Sequence, residues 1–260
     1  MIDAAVAIAP VGALIVQPVA GTATSLSLIV PTYQESANIG LFLTALCETL
    51  DPILPGDYEI VVVDDDSPDG TLEIAAGVAA LHPQIRLVRR PGGRELATAV
   101  IRGWQVSRGR VVATINADFQ HPPENVSGMW NLVHNADLVV ASRYCKGGGV
   151  GDWPWSRRLF SRGAQLLGVL ILPLVFGRLT DPLSGCFMLR REVLTGVELN
   201  PLGYKSLIEV LARGRVKNIA EFPYQMRSRE RGESKATGGR SLEFIRQLWR
   251  LRQAWREARR

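Results

Sequence analysis

Along the first half of the chain, short apolar runs alternate with stretches in which apolar residues recur at helical spacing. Strands are expected over 26–31, 58–64, 85–88, 110–115 and 138–142, and helices over 37–50, 69–81, 95–107 and 123–134. The run Ile60-Val61-Val62-Val63 is apolar without alternation, as in a strand covered on both faces. Strand and helix in turn imply βαβ units, and so an α/β fold with a mainly parallel sheet flanked by helices. Such sheets bind ligands beyond the carboxyl ends of their strands. The polar clusters of this half fall at those ends: Thr32 to Glu35, Asp64 to Asp66, Asn116 to Gln120, and Arg143.

The second half is less regular. Residues 155–172 read as a helix with Arg157, Arg158 and Arg162 on one side and leucines elsewhere. A strand over 186–189, a helix over 204–213 and a strand over 216–225 interrupted by Pro223 follow. Residues 228–240 form a Gly-, Ser- and charge-rich loop, and 241–259 a basic helix. In that helix Phe244, Ile245, Leu248, Trp249, Leu251 and Trp255 stand among arginines, a pattern that either lies on an anionic membrane or packs on its own domain. The first 25 residues are apolar but broken by Pro10, Pro18 and several glycines, and they lack the basic start of a signal peptide. They are expected to be a flexible extension. The apolar stretch 166–176 is broken by Pro173 and too short to cross a bilayer.

Composition narrows the function. The 260 residues, 47% hydrophobic and 21% charged, suit one large globular domain with a tail. Of the net charge of +5, about +4 sits in the last twenty residues, which hold six Arg against two Glu. The remainder is nearly neutral, which argues against a general nucleic-acid binder. Cys47, Cys145 and Cys186 are odd in number and far apart, so neither a disulfide framework nor a zinc site is expected.

Three constellations carry candidate chemistry. Asp64, Asp65 and Asp66 end an apolar strand; they either make a polar turn with a helix cap, or offer a carboxylate to a base, a ribose or a metal. Asn116, Asp118 and Gln120 end another. Mg²⁺ and Mn²⁺ take oxygen ligands, often one or two carboxylates with substrate phosphates, so Asp118 is the natural direct ligand and Asn116 suits a sugar hydroxyl or an outer-shell role. The cations come third: Arg143 at a strand end, Arg157 and Ser161 one helical turn apart, and Arg229, Arg231 and Lys235 in the loop. Arginine suits a bidentate grip on phosphate.

Six motifs in order resemble the family 2 glycosyltransferases that make polyprenyl-phosphate sugars. They are Val30-Pro31-Thr32-Tyr33-Gln34-Glu35, Val63-Asp64-Asp65-Asp66-Ser67-Pro68-Asp69-Gly70, Ala117-Asp118-Phe119-Gln120-His121-Pro122-Pro123-Glu124, Ser142-Arg143-Tyr144, Asp181-Pro182-Leu183-Ser184-Gly185 and Arg231-Gly232-Glu233-Ser234-Lys235. The resemblance implies a GT-A fold over residues 26–240, a divalent Mg²⁺ or Mn²⁺ ion and inversion at the sugar carbon. By position, Pro31, Tyr33, Glu35 and Asp65 would hold the nucleotide, and Asp118 and Gln120 the metal. Arg143, Arg157 and Ser161 would bind the lipid phosphate, and Arg229, Arg231 and Lys235 would close over the diphosphate. Two residues depart from the family pattern: Asn116 stands where the D-x-D motif begins with Asp, and Glu95 stands where a turn usually has glycine.

The implied reaction moves a hexose, most simply mannose, from a nucleotide-diphosphate sugar of the GDP-mannose or UDP-glucose type to a polyprenyl phosphate at the cytoplasmic face of a membrane, with the enzyme bound peripherally. A phosphate nucleophile is already ionised near neutrality and needs no strong general base. Two other readings stand beside it. A family 2 transferase acting on a sugar hydroxyl would need a base, for which Asp181 is the candidate. A sugar-nucleotide-binding protein without turnover is the other, motivated by Asn116 and Glu95.

Overall fold

A computed structural model describes residues 13–16, 23–92, 94–229 and 239–257, with side chains given except at 239–241, 256 and 257. In chain order the elements are β1 (Ile15–Val16), β2 (Leu26–Thr32), α1 (Ile39–Leu50), β3 (Tyr58–Asp64), α2 (Thr71–Ala79), β4 (Ile85–Arg89), α3 (Leu96–Val106) and β5 (Val111–Thr114). They continue with α4 (Asn125–Val133), β6 (Leu138–Ser142), α5 (Trp155–Ile171), α6 (Pro173–Phe176), β7 (Phe187–Arg190), a 3₁₀ turn at Arg191–Leu194, α7 (Ser206–Arg213), β8 (Ile219–Pro223) and α8 (Gly239–Glu257).

All eight strands join one sheet in the order β1-β4-β3-β2-β5-β7-β6-β8. β2 pairs parallel with β3 and β5, β3 with β4, and β6 with β8. Alternate residues of the central strands enter two separate apolar clusters. Ile29, Val61 and Val63 face one, which includes Trp104 and Phe187; Leu28, Val30, Ile60 and Val62 face the other, which includes Phe42 and Met129. Both faces are therefore covered, which is why the β3 run is apolar without alternation. α3 sits directly on β2 and β3 through Gly103, where a Cβ would lie 2.5 Å from Ile29 Cγ2.

The expected α/β sheet, parallel in most of its pairings, is present, and the structure adds detail that the sequence left open. β7 enters antiparallel between β5 and β6, with Val112 opposite Leu189 and Val139 opposite Met188. The stretch expected to be a flexible extension supplies β1, antiparallel to β4 with Ile15 opposite Arg89. The C-terminal helix, given its own segment over 241–260 with membrane contact and self-packing both open, packs on the domain. Phe244, Leu248 and Leu251 are buried in the cluster that holds Trp104. Trp255 Nε1 donates to the Ala212 carbonyl at 2.9 Å, and Arg252 to that of Ile171 at 3.2 Å. Its apolar stripe completes the core, because α5 and α7 present a matching apolar face.

Exposed apolar side chains are most concentrated on α5. Trp155, Leu159, Leu166 and Leu170 share one helical face, with Trp155 76% and Leu170 68% exposed, and Leu174 of α6 extends the row. No helix among the described residues is long and apolar enough to cross a membrane.

Candidate active site

The carboxyl ends of β2, β3 and β5 converge on a cavity of about 390 Å³. The chain leaves these strands through unusual backbone: Gln34, Asp66 and Phe119 all have positive φ, between 53° and 59°. Such conformations are costly for residues other than glycine and persist where the surroundings enforce them. Here the Gln34 amide donates to Ser67 Oγ at 2.9 Å, Asp66 accepts from Arg89 Nε at 2.6 Å, and the Phe119 ring packs edge-on against Phe42 at 5.0 Å.

The described residues given nucleotide, metal or acceptor roles from sequence all line this cavity: Pro31, Tyr33, Glu35, Asp65, Asn116, Asp118, Gln120, Arg143, Arg157, Ser161 and Arg229. Asp181, the candidate base for transfer to a sugar hydroxyl, is not among its lining residues. Arg231 and Lys235 lie outside the described residues.

The three adjacent acids each have a different partner, which answers their mutual repulsion. Buried Asp64 accepts from Thr32 Oγ1 at 2.9 Å and Ser67 Oγ at 2.6 Å. Asp65 is held by both forks of Arg90, at 2.7 and 2.6 Å, and Arg90 also donates to the Glu95 carbonyl at 2.9 Å. Glu95 itself starts α3 in an extended conformation, φ −123°, so glycine is not required there and its departure from the family pattern costs the backbone nothing. Glu35 accepts from Arg229 Nη2 at 2.5 Å.

Asp118 is treated differently. Its Oδ1 accepts the Gln120 amide at 3.1 Å, and no arginine or lysine forms an ion pair with it among the described residues. Desolvation pushes its carboxyl above the usual range, opposed by the charge of Arg229. Beside it, Asn116 Oδ1 is buried without a hydrogen-bond partner, and its Nδ2 would lie 3.0 Å from a Cβ at Gly185. An unneutralised carboxylate beside an unused amide oxygen is a hard-oxygen donor set that fits Mg²⁺ or Mn²⁺. No group of three His, Cys, Asp or Glu that could hold a metal occurs among the described residues. A cation here would therefore be completed by oxygens from substrate or water.

The arginines are organised by aromatic rings. Trp153 lies between Arg143, at 5.2 Å, and Arg157, at 4.0 Å; Tyr144 lies between Arg143, at 5.2 Å, and Arg162, at 3.9 Å. Tyr144 Oη is 2.9 Å from Ser161 Oγ, which ties this ladder to α5. Arg143 is buried and forms a bidentate pair with Asp181, both contacts 2.7 Å. Burial works against each charge, but the paired hydrogen bonds outweigh it, holding Asp181 below the usual carboxylate range and Arg143 above the usual guanidinium. Asp181 is therefore not a free base. His121 is buried against Tyr224, and desolvation pushes its imidazole down to about 3, so it is neutral near pH 7.

Among the cavity residues not assigned to the site from sequence are Arg94, Trp153, Phe160, Tyr204 and Lys205. Trp153 could have been flagged as an aromatic beside Arg157; Lys205 is indistinguishable in sequence from a surface lysine.

A mixed α/β sheet of this order, with carboxylates and amides gathered beyond the parallel strand ends, defines a glycosyltransferase fold of the GT-A class. The chain belongs to glycosyl transferase family 2, whose family model matches residues 27–197. It is 43% identical over 227 residues to a dolichol-phosphate mannosyltransferase of Pyrococcus furiosus, covering 86% of this chain and 63% of that protein. The chain thus spans less than two thirds of that relative's length. It is 32% identical over 234 residues to the dolichol-phosphate mannosyltransferase of Saccharomyces cerevisiae, covering 86% of each. Among solved structures, the glucosyl-3-phosphoglycerate synthase of Mycobacterium tuberculosis, crystallised with Mn²⁺ and UDP, superposes with a TM-score of 0.66 at 22% identity over 88% of this chain and 80% of that one, a likeness of fold.

Proposed function

We propose that this chain transfers a hexose, mannose, from a nucleotide-diphosphate sugar to a polyprenyl phosphate of the dolichyl type, with inversion, as a peripheral protein at the cytoplasmic face of a membrane. The observation that carries this reading is a single cavity that joins an unneutralised carboxylate, Asp118, to arginines on a helix with an exposed apolar face. The names of the two mannosyltransferase relatives support the substrate pair.

Pro31, Tyr33, Glu35 and Asp65 hold the nucleotide. Asp118 and Gln120 would hold Mg²⁺ or Mn²⁺, with the Asn116 amide oxygen beside them. Such an ion would supply neutralisation of charge on the diphosphate. Arg143, Arg157 and Ser161 orient the acceptor, whose phosphate oxygen attacks the anomeric carbon from the face opposite the leaving group. The new carbon–oxygen bond forms as the bond to the diphosphate breaks, and the nucleotide diphosphate leaves with the electron pair. The monoester dianion needs no general base, consistent with Asp181 being fully engaged by Arg143. Arg229, Arg231 and Lys235 stabilise the departing charge. The apolar row on α5, with Arg158 and Arg162 beside it, sits in the headgroup region of the bilayer. This places the main membrane contact on α5, because Phe244, Leu248 and Leu251 of α8 are buried.

The test is a panel of labelled GDP-mannose and UDP-glucose with polyprenyl phosphate, in Mg²⁺, Mn²⁺ or chelator. Metal-dependent label in the lipid fraction is expected; label transferred only to sugar acceptors would overturn the reading. For the surface, Leu166→Ser with Leu170→Ser should weaken binding to anionic vesicles roughly tenfold while leaving the fold intact, since both side chains are exposed. Unchanged vesicle binding would remove α5 from the interface.

A further inference from the structure

Lys205 stands where α7 begins, and its ammonium lies in the cavity wall. It donates to the Leu183 carbonyl and lies 4.9 Å from the Tyr204 ring. Among the described residues neither Lys205 nor Arg157 forms an ion pair, whereas Arg143, Arg90 and Arg229 are each matched to a carboxylate. The cavity therefore presents three cations without an ion-pair partner among the described residues: Arg94, which stacks on the Tyr33 ring at 5.4 Å, and Lys205 and Arg157.

Contacts place Lys205 and Arg157 near Arg143: Lys205 donates to the carbonyl of Leu183, two residues from Asp181, and Arg157 shares the Trp153 ring with Arg143. The charge of Arg143 acts on both Lys205 and Arg157, and that of Lys205 acts on Asp181 and His121. The charge of Arg229 acts on Asp118, and that of Asp118 on Arg157. Arg157 thus stands between the metal corner and the end built around Arg143, Asp181 and Lys205.

We propose that Lys205 is a binding residue for the acceptor phosphate, supplying with Arg157 the two positive charges that a phosphate monoester requires. The inference rests on the proposed function and names a further residue for it. The charge balance is the argument: a monoester carries between −1.5 and −2 near neutrality, Arg143 is already neutralised by Asp181, and Arg157 alone supplies only one unit.

The groups facing Lys205 give the site a pH response. Desolvation and the Arg143 charge pull its ammonium down to about 7, against the opposing charge of Asp181. His121 is neutral, and Glu209, on the next turn of α7, is occupied by Arg213 and Gln247. Lys205 therefore loses its charge as pH rises through about 7, and acceptor affinity falls with it. Below about 6 the phosphate itself takes up a proton. Arginine stays charged across this range, so Lys205→Arg should abolish the alkaline loss.

The experiment measures the acceptor KM for a short-chain prenyl phosphate between pH 6 and 8.5, and the Kd of the sugar nucleotide by titration, for wild type, Lys205→Met and Lys205→Arg. Lys205→Met should raise the acceptor KM roughly 10- to 100-fold and leave the sugar-nucleotide Kd within about twofold. Lys205→Arg should keep the acceptor KM flat from pH 7 to 8.5. An unchanged acceptor KM in Lys205→Met, or an equal loss of sugar-nucleotide affinity, would overturn the assignment while leaving the transfer reaction standing. If wild type transfers nothing to a prenyl phosphate, the function itself is overturned and this inference with it. If Lys205→Met fails to fold, the alkaline limb decides alone: its persistence in Lys205→Arg overturns the proposal.

Discussion

The two ends of the central strands use charged residues in opposite ways. At the amino end of β3, Glu59 is fully buried and both its oxygens are occupied. Oε1 accepts from Ser27 Oγ at 2.6 Å and the Arg108 amide at 2.5 Å; Oε2 accepts from Arg86 Nη1 at 2.7 Å and Arg108 Nε at 3.2 Å. These bonds outweigh desolvation and hold the Glu59 carboxyl below its usual range. At the carboxyl ends, Asp118 has no cationic partner among the described residues, burial raises its carboxyl, and Asn116 Oδ1 is unpaired. One end is closed upon itself and contributes stability. The other stores unmet hydrogen bonding and charge, which a ligand can satisfy.

Breaking the open end should cost activity. Asp118→Ala is expected to lower metal-dependent transfer by roughly a hundred- to a thousand-fold and leave the melting temperature unchanged or slightly higher, because a desolvated, unneutralised carboxylate is removed. Steady-state rates and thermal melts check both halves; near-normal turnover would remove Asp118 from the metal site.

Breaking the closed end should cost stability. Glu59→Ala leaves Arg86 buried without a counter-charge and should lower the unfolding free energy by about 3–5 kcal/mol, with activity per folded molecule retained. The same group sets a pH dependence. Because its folded value is depressed, its contribution is complete above the unfolded value of about 4.3 and is lost as pH falls through the folded one. Denaturant titrations at several acidic pH values should show that loss in wild type and a shallower one in Glu59→Gln.

Two glycines sharpen the contrast. A Cβ at Gly109 would lie 2.4 Å from the Ser27 amide nitrogen, while one at Gly185 would meet only the Asn116 Nδ2, at 3.0 Å, among near contacts. Gly109→Ala should therefore destabilise by about 1–3 kcal/mol, and Gly185→Ala should displace Asn116 and reduce transfer about tenfold at nearly constant stability. The smallest effect is expected for Asn116→Asp. A second carboxylate beside Asp118 should tighten metal binding several-fold and lower stability slightly without metal. Unchanged metal affinity in a calorimetric titration would mean that one carboxylate suffices.

Much of this division is legible along the chain. The strands at 58–64 and 138–142 match expectation at both ends, because continuous burial leaves no ambiguity about where the apolar run stops. The separate acids, amides and arginines of the site were visible as strand-end clusters. What they do to one another was not: Arg90 neutralises Asp65 across 25 positions and Asp181 neutralises Arg143 across 38. Glu95 looked like a defect until the extended backbone at the start of α3 removed the need for glycine. The basic C-terminal helix read equally as membrane-bound or self-packed, since an apolar stripe does not reveal what covers it.

The sequence by itself determined the α/β class, the order of the elements and the motifs that end each strand, because hydrophobic period and strand-end chemistry are local. Only the tertiary structure decided which charges are neutralised and which remain available, which helix keeps its apolar face exposed, and that Lys205 joins Arg157 at the cavity. Burial, ion pairing and desolvation depend on residues distant in sequence being brought within a few ångströms, and no local pattern encodes that approach.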